Sequence, residues 1–207
     1  FNMMAQKVKQ LLEAHKELTN AVAHELRTPL ARSKFALQIL EGIDDPEKGA
    51  KYQGQIKSDI GELEALINEM LLYSSMENTQ PDMLFESTSI NDIVQAQVEQ
   101  YQHYQGDIEL VANTAVYAEC DGHFIDRALN NYIANAVKYG HDKIRISIEK
   151  DEEFCTLTVE DNGEGVSDQF KAVVFDAFSR GDESRNRETG GFGLGLAIVS
   201  RIMHWHG

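Results

Sequence analysis

From Met4 to Glu25 the chain keeps an alternating four-three spacing through Met4, Val8, Leu11, His15, Leu18, Val22 and Glu25. That spacing is the heptad seam of a helix packed lengthwise on a partner, and its two polar members weaken it toward His24. A second line follows the same rule through Ile56, Ile60, Leu63, Ile67, Met70 and Ser74, and Gly42 to Gly49, with Asp44-Asp45-Pro46, reads as the turn between them. The pattern predicts an antiparallel helical hairpin. A hairpin with an apolar seam cannot bury it alone, so pairing with a second copy into a four-helix bundle is expected, and a homodimer with it. Association with a different helical partner is the alternative, since spacing does not identify the partner.

The periodicity stops between Glu77 and Ser89, where Asn78, Thr79, Pro81 and Asp82 make a linker. Residues 1–80 and 81–207 are therefore read as two domains. In the second, Ser89-Ile90-Asn91-Asp92 resembles a capping box opening a helix to about Tyr104, and Ile108 to Ala112 and Val116 to Cys120 are short strands. A helix spans about Gly122 to Tyr139. Ile144, Ile146 and Ile148 alternate within Lys143 to Lys150, Phe154, Leu157 and Val159 alternate less regularly, and a last helix covers about Leu194 to Trp205. Helices mixed with mainly antiparallel strands predict an α+β chain of two domains, the second an α/β sandwich.

Composition narrows the partners. The 207 residues carry a formal charge of −15, with 42% hydrophobic and 26% charged residues, the balance of a folded globular chain. Acidic residues outnumber basic ones both before and after Glu86, so neither half offers the Lys/Arg stripe that nucleic acid or an anionic membrane surface needs. No nucleic acid partner is expected. The two cysteines, Cys120 and Cys155, form no CxxC or Cys/His cluster and read as reduced thiols. No apolar run reaches the length of a membrane span.

Candidate chemistry starts at Ala23-His24-Glu25-Leu26-Arg27-Thr28-Pro29-Leu30. At ~100° per residue His24 points ~200° away from Val22, and Thr28 lies only ~40° from His24, so both face outward. Pro29 has no N–H for the carbonyl of Glu25, which predicts a bend beside that pair. A free imidazole, with pKa about 6.5, is substantially neutral at pH 7 and nucleophilic toward phosphorus. Glu25, accepting the proton of the other ring nitrogen, would fix the tautomer and stabilise the developing cation. A lone His-Glu pair is still more often solvated surface.

HELRTPL resembles the H-box of sensor histidine kinases. The resemblance implies that His24 accepts the phosphoryl group, that Glu25 is the general base, and that Thr28 helps to position water when such kinases dephosphorylate their partner.

Three further segments suit a nucleotide. On the helix through Asn130 and Tyr139, the residues Asn131, Asn135, Lys138 and Tyr139 gather within ~100°, two hard amide oxygens and an ammonium beside an aromatic ring. Asp161-Asn162-Gly163-Glu164-Gly165 follows a strand, presenting a carboxylate that can accept from an exocyclic amine, with glycines that let the backbone turn closely. Gly190-Gly191-Phe192-Gly193-Leu194-Gly195 opens the last helix with free N–H groups, and Arg180, Arg185 and Arg187 precede it in a polar stretch able to close over phosphates. Neither GxxxxGK[ST] nor a glycine turn after the first strand of a βαβ unit is present.

In order, and with Phe175-Asp176-Ala177-Phe178 between the second and the third, these segments resemble the N-box, G1-box, F-box and G2-box of the ATP-binding domain shared by histidine kinases, gyrase, Hsp90 and MutL. The resemblance implies ATP and Mg2+ as cofactors. Asn135, helped by Asn131, would hold magnesium, Lys138 and Tyr139 would contact phosphate and nucleotide, and Asp161 would read adenine beside Gly163 and Gly165. Phe178 and Arg180 stand in the F-box and the loop after it, and Gly191, Gly193, Leu194 and Gly195 would shape the lid. The F-box, Phe175-Asp176-Ala177-Phe178, departs from the family by carrying Ala177 where proline is common, and no strand follows the last helix as it does in the family.

The family also implies a response-regulator receiver domain as partner and a parent protein anchored in the inner membrane, with this chain as its cytoplasmic portion. Residues 1–14 would be the end of an incoming signalling helix. The alternative is an ATP-gated conformational module that never phosphorylates itself.

Overall fold

The computed structural model describes residues 2–42, 45–78, 81–112, 114–179 and 192–207. The chain divides into two compact units, Phe1–Ser74 and Ser75–Gly207. The first is a pair of long helices, α1 (Asn2–Leu40) and α2 (Pro46–Asn78), as the two heptad lines require. The side chains of the α1 line from Met4 to Leu18 lie outside the described residues. Pro46 opens α2, where its missing N–H costs no helical bond, and the Asp45 side chain accepts from the N–H of Glu47 at 3.0 Å.

Within the hairpin the inner line of α1 is Val22, Pro29, Ser33 and Ala36, all buried. The inner line of α2 differs from the one expected. Asp59 and Leu66 are wholly buried, whereas Ile60 and Ile67 are 47% and 46% exposed. With Leu71 these two occupy ~40° of the helix and form an apolar strip, and Leu30 and Leu37 are likewise exposed on α1. Two lines with the same spacing coexist on α2, and the hairpin covers only one.

A polar layer joins the two helices. The Asp59 carboxylate accepts from Arg32 at 2.9 Å, from the Ser33 hydroxyl at 3.2 Å and from the Gln55 amide at 3.0 Å. Arg32 also pairs with Glu62. A charge with no access to water persists only when paired and hydrogen-bonded, and Asp59 meets both conditions.

The second unit has β1 (Glu86–Ser89), α3 (Ile90–Gln100), β2 (Asp107–Val111), β3 (Tyr117–Cys120), α4 (Gly122–Tyr139), β4 (Lys143–Lys150), β5 (Cys155–Asp161), α5 (Asp168–Lys171) and α6 (Gly195–His206). β1 pairs antiparallel with β3. The other three strands form a sheet ordered β2-β4-β5, in which β4 is antiparallel to β5 but parallel to β2. The strands are mainly antiparallel, as expected, and the one parallel pair is connected through β3 and helix α4, since parallel neighbours need a long crossover.

Ile144, Ile146 and Ile148 of β4 turn inward onto Leu129, Ile133 and Ala136 of α4 and Val94 of α3, while Lys143, Arg145 and Glu149 stay in water. Burying each of those large aliphatic side chains stabilises the unit by roughly 1.5–3 kcal/mol. Asp121 caps α4 by accepting from the N–H of His123 and Phe124, at 3.1 and 3.4 Å, and holds the incoming chain through the N–H of Leu84 at 3.0 Å. The helix that carries the N-box is thus fixed at its start and packed along one face.

Candidate functional site

On α1, His24 is 64% exposed and its Nδ1 lies 3.9 Å from Glu25 Oε1, beyond hydrogen-bond length but on the side expected of a base. Thr28 is half-buried rather than outward-facing, and α1 runs through Pro29 as one helix. The outward presentation of His24 follows from the same periodicity that buries Val22 and Pro29.

In the second unit α4 brings Asn131, Asn135, Lys138 and Tyr139 to one side, as the projection requires. Asn131 donates its amide to the carbonyl of Arg127 at 3.1 Å, which turns Oδ1 away toward the start of α6. A methyl group on Gly195 would sit 2.8 Å from that oxygen, so the Asn131 amide packs directly against the glycine and would have to turn aside for any larger residue. Among the described residues the Asn135 side chain makes no hydrogen bond, and the Lys138 ammonium lies 4.5 Å from the centre of the Tyr139 ring. Two amide side chains one helical turn apart, one with its oxygen beside Gly195 at the start of α6, supply the hard donors that a divalent cation such as Mg2+ takes.

β5 delivers Asp161, exposed, at its end. One carboxylate oxygen accepts from the Gly163 N–H at 2.8 Å, and the other is left for a ligand. The loop lies directly on the end of α4: a Cβ on Gly163 would come within 2.2 Å of the Tyr139 carbonyl, and one on Gly140 within 3.0 Å of Asp161 Cβ. Gly165 takes φ +75° with open space around it.

Phe178 is the one non-glycine residue with positive φ (63°) among the described residues, and its N–H donates to the Gly193 carbonyl at 2.8 Å. Gly193, at φ +72°, lies so close that a Cβ would meet the Ser179 carbonyl oxygen at 2.7 Å. The F-box and the G2 glycines therefore interlock through two left-handed residues. Beyond them Leu194 is wholly buried, and α6 begins with no side-chain cap, leaving its first N–H groups available to an anion. Arg180, Arg185, Arg187 and Gly191 lie outside the described residues.

The structure thus gathers Asn131 and Gly195 on one side, and Tyr139, Asp161 and Gly163 on the other, along α4. Two residues of the same segments are not singled out by the sequence. Asn130 takes the Tyr101 hydroxyl at 2.9 Å and belongs to the packing of α3 on α4. Asn162, between Asp161 and Gly163, binds the turn after α4; its place in a DNG turn is the only signal.

With this geometry in view, two family descriptions match the chain. One is the "His Kinase A (phospho-acceptor) domain" over residues 14–79, and the other is the "Histidine kinase-, DNA gyrase B-, and HSP90-like ATPase" over residues 120–207. The chain belongs to the sensor histidine kinases. It is 34% identical to "Sensor protein RstB" of Escherichia coli (strain K12), over 98% of this chain and 46% of the relative. It is 30% identical to "Sensor histidine kinase CpxA" of the same strain, over 100% of this chain and 45% of the relative. The chain therefore spans about half the length of these curated relatives. A solved structure of "Acinetobacter baumannii histidine kinase AdeS" superposes with a TM-score of 0.64 at 27% identity, covering 87% of this chain and 86% of the other.

Proposed function

We propose that the chain uses ATP to phosphorylate its own His24 and passes the phosphoryl group to an aspartate of a response-regulator receiver domain. The observation that carries this reading is the pairing, in one chain, of an exposed histidine flanked by a carboxylate with a strand-end carboxylate and close-packed glycines along α4. His24 holds Nδ1 toward Glu25, so Nε2 is the nitrogen left to attack. Attack forms the N–P bond as the bond from the γ-phosphorus to the bridging oxygen of ADP breaks. The proton on Nδ1 passes to Glu25, which leaves the phosphorylated imidazole neutral.

In the ATP site Asp161 accepts from the adenine amine, Lys138 and Tyr139 contact phosphate and nucleotide, and the uncapped start of α6 receives phosphate oxygens. Asn131 and Asn135 would hold Mg2+, which when bound offsets charge on the leaving phosphates. Thr28, one helical turn beyond His24, would orient the water that hydrolyses the partner's aspartyl phosphate to carboxylate and inorganic phosphate. The exposed strip Ile60, Ile67 and Leu71 supports a homodimer in which a second hairpin covers it.

The names of the relatives support a sensor protein as parent, and in this reading the parent is anchored in an inner membrane with this chain on its cytoplasmic side. Among the described residues no helix is long and apolar enough to cross a membrane.

Incubation with γ-labelled ATP and magnesium tests the reading. Acid-labile, base-stable label is expected on the wild-type protein and none on His24→Gln, with nucleotide binding retained. Label that survives His24→Gln would refute the assignment, and nucleotide-driven dimer closure without any label would favour a conformational module.

A further inference from the structure

We propose that Asn162 is a positioning residue for base recognition, a clamp that holds Asp161 where it meets the purine; the inference rests on the reading of Asp161 as the residue that accepts from the adenine amine. The three residues leaving β5 meet the five residues Tyr139 to Lys143 one after another. Gly163 lies on the Tyr139 carbonyl and Asp161 on Gly140. Asn162 lies between them and turns its side chain onto the remainder. Its Oδ1 accepts from three consecutive backbone N–H groups, those of His141 at 3.2 Å, Asp142 at 3.2 Å and Lys143 at 3.1 Å. Its Nδ2 donates to the Asp142 carboxylate at 2.8 Å.

Three converging N–H groups make a small concave site of positive potential, of the kind that elsewhere binds anions. Here the chain fills it with its own amide oxygen. The turn it grips is immobilised from the other side, because the Tyr104 hydroxyl donates to the His141 carbonyl at 3.3 Å and the Asp107 N–H to the Asp142 carbonyl at 2.7 Å. Asn162 therefore ties a loop of glycines and exposed polar residues to a turn already anchored to α3's exit and β2. Asp161 precedes it by one residue, and one of its oxygens is committed to Gly163. Rotation at Asn162 would carry the free oxygen off its line.

The chemistry demands asparagine in particular. An acceptor is needed for the three N–H groups and a donor for the carboxylate, and the asparagine amide supplies both from one planar group. Aspartate would satisfy the N–H groups but face Asp142 with like charge. Since all these groups are exposed, water replaces lost bonds cheaply. The effect is thus expected in the aim of Asp161 more than in the stability of the fold.

The test compares ATP with inosine triphosphate, which carries a 6-oxo group in place of the amine, by titration of the full chain and by the kcat and KM of self-labelling. In Asn162→Ala and Asn162→Asp the affinity for ATP should fall roughly tenfold, the affinity for inosine triphosphate should change by less than about threefold, and kcat should stay within about twofold. The exchange variant, Asn162→Asp with Asp142→Asn, lets donor and acceptor trade places and should restore the preference for ATP. It also serves if Asn162→Ala does not fold. An unchanged preference in the two single variants, or a lost preference that the exchange does not restore, overturns the proposal. Asp161→Asn separates the two claims: if it leaves the preference intact, the reading of Asp161 itself has failed, and the role given to Asn162 falls with it.

Discussion

Gly165 and Gly193 have nearly the same φ, +75° and +72°, but opposite surroundings. Alanine at either position enters the left-handed region at a cost of about 1 kcal/mol. At Gly165 nothing lies within 4 Å of the added methyl group, so that cost stands alone. At Gly193 the methyl group would lie 2.7 Å from the Ser179 carbonyl oxygen and 2.9 and 3.0 Å from the Phe178 carbonyl carbon and Cα. All three are backbone atoms, which no side-chain rotation can move aside. Displacing them also strains the 2.8 Å bond from Phe178 to Gly193. Overpacking of this kind adds roughly 1–3 kcal/mol, giving about 2–4 kcal/mol for Gly193→Ala against about 1 for Gly165→Ala. Urea unfolding followed by fluorescence measures both, because Trp205, the only tryptophan, stands in α6 against Phe124 and reports on this unit alone. Nucleotide affinity should fall with Gly193→Ala even where the unit remains folded. Equal losses in the two variants would refute the view that the F-box and G2 segments interlock through these residues.

Other variants bear on the hairpin and on the thiols. Gly54 and Gly61 stand inside α2 with nothing within 4 Å of an added methyl group, so Gly54→Ala and Gly61→Ala should each stabilise the helix by about 0.5–1 kcal/mol, read as slower amide exchange in α2. Arg32→Met strands the buried Asp59 carboxylate and should destabilise the hairpin by about 3 kcal/mol, whereas Arg32→Met with Asp59→Leu should recover most of it in thermal unfolding followed by circular dichroism. Burial pushes the Cys120 and Cys155 thiols up from their ordinary range, so both are thiols at neutral pH. Alkylation should be slow at pH 7, rise about tenfold per pH unit through pH 8.5, and proceed faster at half-exposed Cys155 than at buried Cys120.

How much of the structure is legible in the sequence follows from how strongly each segment is constrained. Helix α4 agrees with its expected limits because Asp121 caps one end, Gly140 ends the other, and its apolar face is continuous. β1 gives no pattern because Glu86–Ser89 is entirely polar and too short to show alternation, and α5 has only four residues. The inner line of α2 is hidden because Ile60 and Ile67 satisfy a heptad as well as Leu66 does, while the true companion of Leu66 is a charged residue, Asp59, which pattern reading assigns to solvent. Asp161 and the glycines stand out because a carboxylate at a strand end is chemically conspicuous. Asn162 does not, because its partners are backbone N–H groups of a turn some twenty residues earlier, which side-chain identity cannot reveal.

The salt-bridged layer at Asp59 bears on a degeneracy of long helical hairpins. A seven-residue slide of one helix past the other, about 10.5 Å, sets apolar residues against apolar residues again, so hydrophobic burial alone barely separates one alignment from the next. Asp59 meets Arg32 at only one of those alignments, and at every other a carboxylate is buried with no cation opposite. The layer therefore works as an index mark on a ruler. Arg32 stands eight residues, about 12 Å, beyond His24 on the same helix, so the mark sets the height at which the histidine is offered.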